Sequence, residues 1–245
     1  ITKGFTQDEL IVAGFLTVYG ERFTERLMFP IYDSQGNIVA FSGRALLEQQ
    51  EPKYTATQNS DFYRKGFFLY GLQNVRRGEP IVLVEGNLDC VRLVVNGVNA
   101  VAQLGTALTR NQCKLLKSLT DEVTLLYDGD EAGQKTSYSS ILPLMEAGVY
   151  VKIALLPPAD DPDTYVKHCG IEELKRDVID KAVKAVKNYL GSPLSAGKGI
   201  SNILVDCLKA VNKIEDLTVR DLYVKDLSES FGLSEKSILT ELKKV

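Results

Sequence analysis

The sequence predicts an α/β protein in three parts: a mixed α/β N-terminal part over residues 1–80, a central part with a mostly parallel sheet over residues 81–170, and a C-terminal helical bundle over residues 171–245. Three observations point there. Two β-rich runs flank a turn near the N-terminus, short apolar strands alternate with helix-length connections through the middle, and apolar residues recur at helical spacing beyond residue 171.

The elements follow in order. Leu10, Ile11, Ala13 and Phe15 mark a short helical piece. Residues 26–32 (RLMFPIY) and 37–43 (NIVAFSG) read as strands, and Asp33, Ser34, Gln35 and Gly36 between them have turn chemistry, which makes a β-hairpin. Strands then follow at 81–84, 100–103, 123–127 and 149–155, each separated from the next by enough chain for a helix, as βαβ units require. Past residue 171 the β signal disappears. Leu204, Leu208 and Val211, then Leu222, Val224 and Leu227, then Ile238 and Leu242 fall at helical spacing, with a loop expected over 191–199.

The 245 residues carry 44% hydrophobic and 25% charged side chains, an ordinary globular composition that argues against a disordered or disulfide-stapled chain. No apolar run approaches the roughly 20 residues of a membrane span. Cys90, Cys113, Cys169 and Cys207 form no CxxC pair and His168 has no ligand pattern, so no zinc is expected; four buried reduced thiols and a surface histidine are. The first residue is Ile, consistent with an excised fragment. A net charge of -3 taken alone argues against a nucleic-acid partner, but the acidity is local: residues 81–170 hold seven basic and eleven acidic residues, whereas the flanks are nearly balanced.

The local acids carry the chemistry. A buried strand ends on Glu85, and Asp89 follows at the start of a helix; a second strand delivers Asp128 and Asp130, and a third leads to Asp161 and Asp163. Each set alone is an ordinary rim charge or solvated turn, but three at the carboxyl ends of successive strands converge where open parallel sheets bind ligands. Clustered carboxylates need compensation, and oxygen-only ligands favour Mg²⁺ or Mn²⁺, the ions used in phosphoryl and nucleotidyl transfer. Two motif matches fail: Asp128–Gly133 lacks the oxygen ligands of an EF-hand at Ala132 and Ser139, and Gly191–Gly199 misses the P-loop spacing. In the N-terminal part Arg44, Lys53, Tyr54, Arg64 and Lys65 combine phosphate-binding cations with a stacking face, although any one alone is ordinary surface charge.

These residues resemble the RNA polymerase catalytic core of bacterial DnaG-type primases, with a Toprim subdomain at its centre. Residues 84–89 (VEGNLD) match the Toprim glutamate motif, 127–133 (YDGDEAG) the DxD motif and 161–163 (DPD) the third acidic motif. The flanks select the primase pattern among Toprim proteins: 26–31 (RLMFPI), 41–44 (FSGR), 51–54 (EPKY), 64–66 (RKG), 69–72 (LYGL), 104–109 (LGTALT), 220–223 (RDLY) and 232–235 (GLSE). Ser42 stands where the family usually has Gly, and Asn87 where an aromatic is common.

The resemblance implies synthesis of short RNA primers on single-stranded DNA from ribonucleoside triphosphates, in the cytoplasm of a bacterium at replication forks. Asp128, Asp130, Asp161 and Asp163 would hold two or more Mg²⁺ or Mn²⁺ ions with Asp89 assisting. Glu85 would serve acid/base chemistry or contact a metal; Arg44, Lys53 and Lys65, with Arg64 and Tyr54, would bind template or triphosphate. It also implies that the zinc-binding domain, the opening of the core and the domain that meets the replicative helicase lie outside this fragment, so template-site selection and helicase coupling should suffer. Two other readings stay open: Toprim strand cleavage, for which none of the eleven Tyr stands out as a nucleophile, and a non-catalytic binding scaffold. Without the six acids, 29 basic residues face 26 acidic ones. The acidic balance is then largely that of the metal site.

Overall fold

The computed structural model describes residues 4–17, 20–60, 63–105, 107–192 and 195–245. Helix α1 (Gln7–Val12) and a ribbon of β1 (Leu16–Thr17) and β2 (Gly20–Glu21) lead into an antiparallel sheet of β3 (Arg26–Tyr32), β4 (Ile38–Ala45) and β5 (Tyr54–Ala56), in that order. The expected hairpin is β3–β4. Its turn is set by Asp33, whose Oδ1 accepts from the backbone N–H of Gln35 (2.9 Å) and Asn37 (2.8 Å). Helix α1 stops at Val12, so Phe15 lies beyond it.

The central sheet joins β6 (Leu69–Tyr70), β7 (Ile81–Val84), β8 (Ala100–Gln103), β9 (Glu122–Leu125), β10 (Tyr150–Ile153) and β11 (Val183–Lys184) in the order β11-β10-β9-β7-β8-β6. Its four inner strands are parallel. The sequence of these strands explains the burial: IVLV and AVAQ offer apolar or uncharged side chains to both faces, as a sheet covered on both sides requires. Helices α2 (Asn87–Val95), α3 (Arg110–Lys117) and α4 (Glu131–Glu146) make the crossovers. Alternate strand residues feed two cores. Leu83, Val101, Leu125 and Val151 pack with α3, α4 and the C-terminal helices. On the opposite face, Val82, Val84, Ala102 and Leu126 pack with Cys90 and Leu93 of α2 and with Phe29, Ile31 and Ala40 of the N-terminal sheet.

Two edge strands were not legible as such. β6 and β11 pair antiparallel to β8 and β10, so the sheet takes a strand from each side of the expected divisions at 80/81 and 170/171. The loss of β signal past 171 is therefore corrected by Val183–Lys184, which is only two residues long and too short to show a period. After α5 (Pro162–Cys169), α6 (Ile171–Leu174) and α7 (Ala185–Leu190), the tail folds as α8 (Ile200–Asn212), α9 (Leu217–Phe231) and α10 (Glu235–Leu242). The inward stripe holds except at Leu222, which is exposed. Helix α9 is anchored to the sheet by polar groups: the Tyr223 hydroxyl donates to the Val149 carbonyl (2.7 Å) and accepts from the Val151 N–H (2.9 Å). Beside it, Tyr150 donates to buried Asp226 (2.8 Å), which also pairs with Lys184. Cys169 is exposed, against the expectation of four buried thiols, because it ends α5 on its outer side; His168 is exposed as expected. Thr106, within the 104–109 motif, and Pro193 and Leu194, within the 191–199 loop, lie outside the described residues.

Candidate functional site

Three helices begin at the carboxyl rim of the central sheet, and each start carries acids. Glu85 directly follows β7, and Asp89 sits in the first turn of α2. Beyond β9, Asp128 is half-buried and Asp130 caps α4, its Oδ1 accepting from the Gly133 N–H (2.8 Å). Asp161 caps α5 by accepting from the Thr164 N–H (2.7 Å), and Asp163 lies in the first turn. The partial positive charge at these helix starts favours carboxylates there. The glycines between the acids allow the close approach. A Cβ on Gly129 would stand 2.0 Å from the Pro157 carbonyl oxygen, and one on Gly133 would stand 2.3 Å from that of Asp128. The Gly129 N–H donates to the Asp160 carbonyl (2.8 Å), which ties the second acidic loop to the third. Helix α5 packs on α2, and the Asp163 N–H donates to Asp89 Oδ1 (3.1 Å).

The acids perturb one another. Burial, then Asp128, Asp130 and Asp89, push the Glu85 carboxyl up to about 7. Burial and Asp161 carry Asp89 up to about 7 against the hydrogen bond from Asp163. Asp128 rises to about 6 through burial, Asp161 and Asp130, with Lys53 pulling the other way. Glu85, Asp89, Asp128, Asp130 and Asp161 therefore form one electrostatic cluster. Asp163 differs: burial would raise its carboxyl, but Lys167 and Arg92 together hold it below the usual range. Its Oδ1 accepts from Arg92 Nε (2.6 Å) and its Oδ2 from Lys167.

Among the described residues no three His, Cys, Asp or Glu side chains already stand as a ligand set. The donors nevertheless suit a hard divalent cation. Among the described residues Glu85 Oε1 and Asp128 Oδ1 are buried oxygens without a hydrogen-bond partner, and every candidate ligand is a carboxylate. Asp130 and Asp161 each use an oxygen for capping, and Asp163 has both oxygens engaged, so Glu85 and Asp128 are the freest.

A cleft of about 200 Å³ opens beside Glu85, lined by Tyr54, Lys65, Asn87 and Gln103 among others. The expected phosphate-binding residues divide around it. Tyr54 and Lys65 line the cleft, and Lys53 is close enough to Asp128 to lower its carboxyl. Arg44 pairs across the β4–β5 register with Tyr54 and stands 5.8 Å from its ring centroid. Arg64 is exposed on the surface and does not line the cleft. None of these four cations is within 4.0 Å of a carboxylate among the described residues, which leaves them available to an anionic ligand. Ser42 and Asn87, the two departures from the family pattern, are both buried cleft-lining residues. Sequence reasoning missed Arg92 and Gln103. Arg92 follows Asp89 by three positions on α2, a same-face spacing; Gln103 is a polar residue ending an apolar parallel strand.

With this geometry in view, comparisons with known proteins are specific. The family model for the N-terminal domain of the DNA primase catalytic core matches residues 1–76, and a Toprim-like model matches residues 82–166. The DNA primase of Clostridium acetobutylicum is 34% identical over 97% of this chain and 41% of its own length, and that of Aquifex aeolicus 43% identical over 65% of this chain and 33% of its own. Among solved structures, the DnaG catalytic core superposes with a TM-score of 0.79 at 31% identity, covering 96% of this chain and 81% of that one. The DnaG primase catalytic domain bound to ssDNA gives 0.80 at 30% identity, covering 96% and 80%. The chain spans about two fifths of the length of the Clostridium relative.

Proposed function

We propose that this chain, which belongs to the DnaG-type DNA primase family, supplies the nucleotidyl-transfer centre of a primase: a template-directed RNA polymerase that makes short primers on single-stranded DNA from ribonucleoside triphosphates. The observation that carries the reading is the buried, partnerless Asp128 Oδ1 on a rim where Glu85, Asp89, Asp130 and Asp161 also converge, beside a cleft whose cations have no carboxylate within 4.0 Å among the described residues. The DNA-bound relative supports single-stranded DNA as the template. In the cell the partners would be the template, the triphosphates, the RNA primer and, for the whole protein, the replicative helicase, at replication forks in the bacterial cytoplasm. No helix among the described residues is long and apolar enough to cross a membrane.

In the proposed reaction the primer 3′-hydroxyl attacks the α-phosphorus of the incoming nucleotide and pyrophosphate leaves. Glu85, Asp128, Asp130, Asp89 and Asp161 would hold Mg²⁺ or Mn²⁺, and Asp163 would join them only by releasing Arg92 or Lys167. Bound there, two or more such ions neutralise charge on the attacking and leaving oxygens. Glu85 would serve either as a further ligand of the cations or as the group that takes the proton of the attacking hydroxyl. Lys53 and Lys65 neutralise triphosphate or template phosphates as point charges, and Arg44 does so as a planar fork held against Tyr54. Tyr54 presents its ring for a base to stack on.

A primer-synthesis assay with Asp128→Ala and Asp130→Ala tests the reading. Loss of product in the double variant, with folding retained, is the expected result; full activity contradicts the acid assignment. Incubation of labelled single strands with metal but without nucleotides separates the reading from strand cleavage, since cleavage products under those conditions favour a nuclease.

A further inference from the structure

The sheet face that carries Leu83, Val101 and Leu125 continues past the strand ends into three polar residues. Val84 pairs with Ala102 and Leu83 with Leu125, so the next same-face positions set Gln103, Glu85 and Tyr127 side by side across β8, β7 and β9. The Tyr127 hydroxyl donates to Gln103 Oε1 at 3.0 Å, bridging the strand that ends in Glu85. With that oxygen taken, Gln103 presents its amide hydrogens.

Gln103 is only 2% exposed, and among the described residues its Nε2 has no partner; Glu85 Oε1 is likewise buried and without one. A buried donor and a buried acceptor thus sit on adjacent strands, each lacking what the other offers. Leaving both unsatisfied is destabilising, whereas one buried water or a small side-chain rotation satisfies both. Both residues line the cleft, but these two atoms are themselves buried, so the partner each lacks is a buried group or a buried water.

We propose that Gln103 is a positioning residue for Glu85. Its amide, fixed through Tyr127, donates to the inner carboxylate oxygen of Glu85, directly or through one buried water, and so aims the outer oxygen at the cleft and at the cation-binding rim. This rests on the reading of the rim as a divalent-cation site. Partners that orient a metal-binding side chain typically change affinity about 10–100-fold when removed.

Isothermal titration of the 245-residue chain with Mn²⁺ alone tests it, with thermal unfolding in EDTA run in parallel. Gln103→Leu, close in shape but without the amide, should bind Mn²⁺ about 10-fold more weakly while its unfolding midpoint stays within a few degrees of the parent. Tyr127→Phe should weaken binding in the same direction, and the double variant should be no weaker than the weaker single variant, since both act on one oxygen. If Gln103→Leu does not fold, Tyr127→Phe decides alone, a loss supporting the proposal and no loss overturning it. Equal affinity in the parent and a folded Gln103→Leu overturns this inference alone. No Mn²⁺ binding to the parent overturns it together with the cation-site reading.

Discussion

Asp89→Asn isolates the electrostatics of the rim, because the amide keeps an acceptor oxygen for the Asp163 N–H while removing a charge from a side chain only 8% exposed. Burial and Asp161 push the Asp89 carboxyl from 3.8 up to about 7 in the folded chain. A carboxyl raised by folding holds its proton more tightly in the folded than in the unfolded state. Its stabilising contribution is therefore full below about pH 4 and is lost as pH rises through about 7. At about 1.4 kcal/mol per pH unit, the rise corresponds to about 4 kcal/mol. Asp161 and Asp128 relax when one charge goes, so the variant should gain about half of that, about 2 kcal/mol, or about 4–8 °C in unfolding midpoint for a chain of this length. Thermal unfolding in EDTA should show Asp89→Asn above the parent at about pH 8, and the gap should shrink below about 1 kcal/mol at about pH 4. Mg²⁺ or Mn²⁺ at about pH 8 should narrow or reverse the gap, since the parent gains more from binding. Equal midpoints in EDTA at both pH values would refute the reasoning.

Gly129→Ala should lower stability by about 2–3 kcal/mol in urea unfolding and weaken Mn²⁺ binding, because the new Cβ meets the Pro157 backbone and separates the loops of Asp128 and Asp161. Tyr223→Phe removes a hydroxyl that satisfies both Val149 and Val151 at the buried start of β10; a loss of at least about 2 kcal/mol is expected, and one under about 0.5 kcal/mol would show that α9 is held otherwise. Lys53→Ala and Lys65→Ala should each weaken binding of a single-stranded oligonucleotide by fluorescence anisotropy and reduce the salt slope by about 0.7. Arg64→Ala, exposed and away from the cleft, should do less.

Features written in contiguous residues were legible in the sequence. The β3–β4 hairpin follows from Asp33 to Gly36, the inner strands from short, mostly apolar runs, and the helix start that carries Asp89 from the strand and Gly86 before it. What escaped reading depends on partners far along the chain. β6 and β11 are two-residue strands that exist only because β8 and β10 offer edges. Asp163 meets Arg92 across 71 positions, so its spacing looks like a ligand's while its carboxylate is held by cations. Tyr223 and Asp226 lie on a helical stripe that reads as ordinary amphipathic packing, yet they carry the polar attachment of the C-terminal helices. Gln103 ends an apolar strand, and only the register beside Glu85 gives it a role.

The most direct measurement is anomalous diffraction from a crystal of this chain soaked with Mn²⁺ and a ribonucleoside triphosphate. The expected result is manganese density in contact with Glu85 and Asp128, with the triphosphate reaching toward Lys53 and Lys65. Manganese bound elsewhere, with the Glu85 and Asp128 oxygens still without a partner, would contradict the account of the rim as the nucleotidyl-transfer centre.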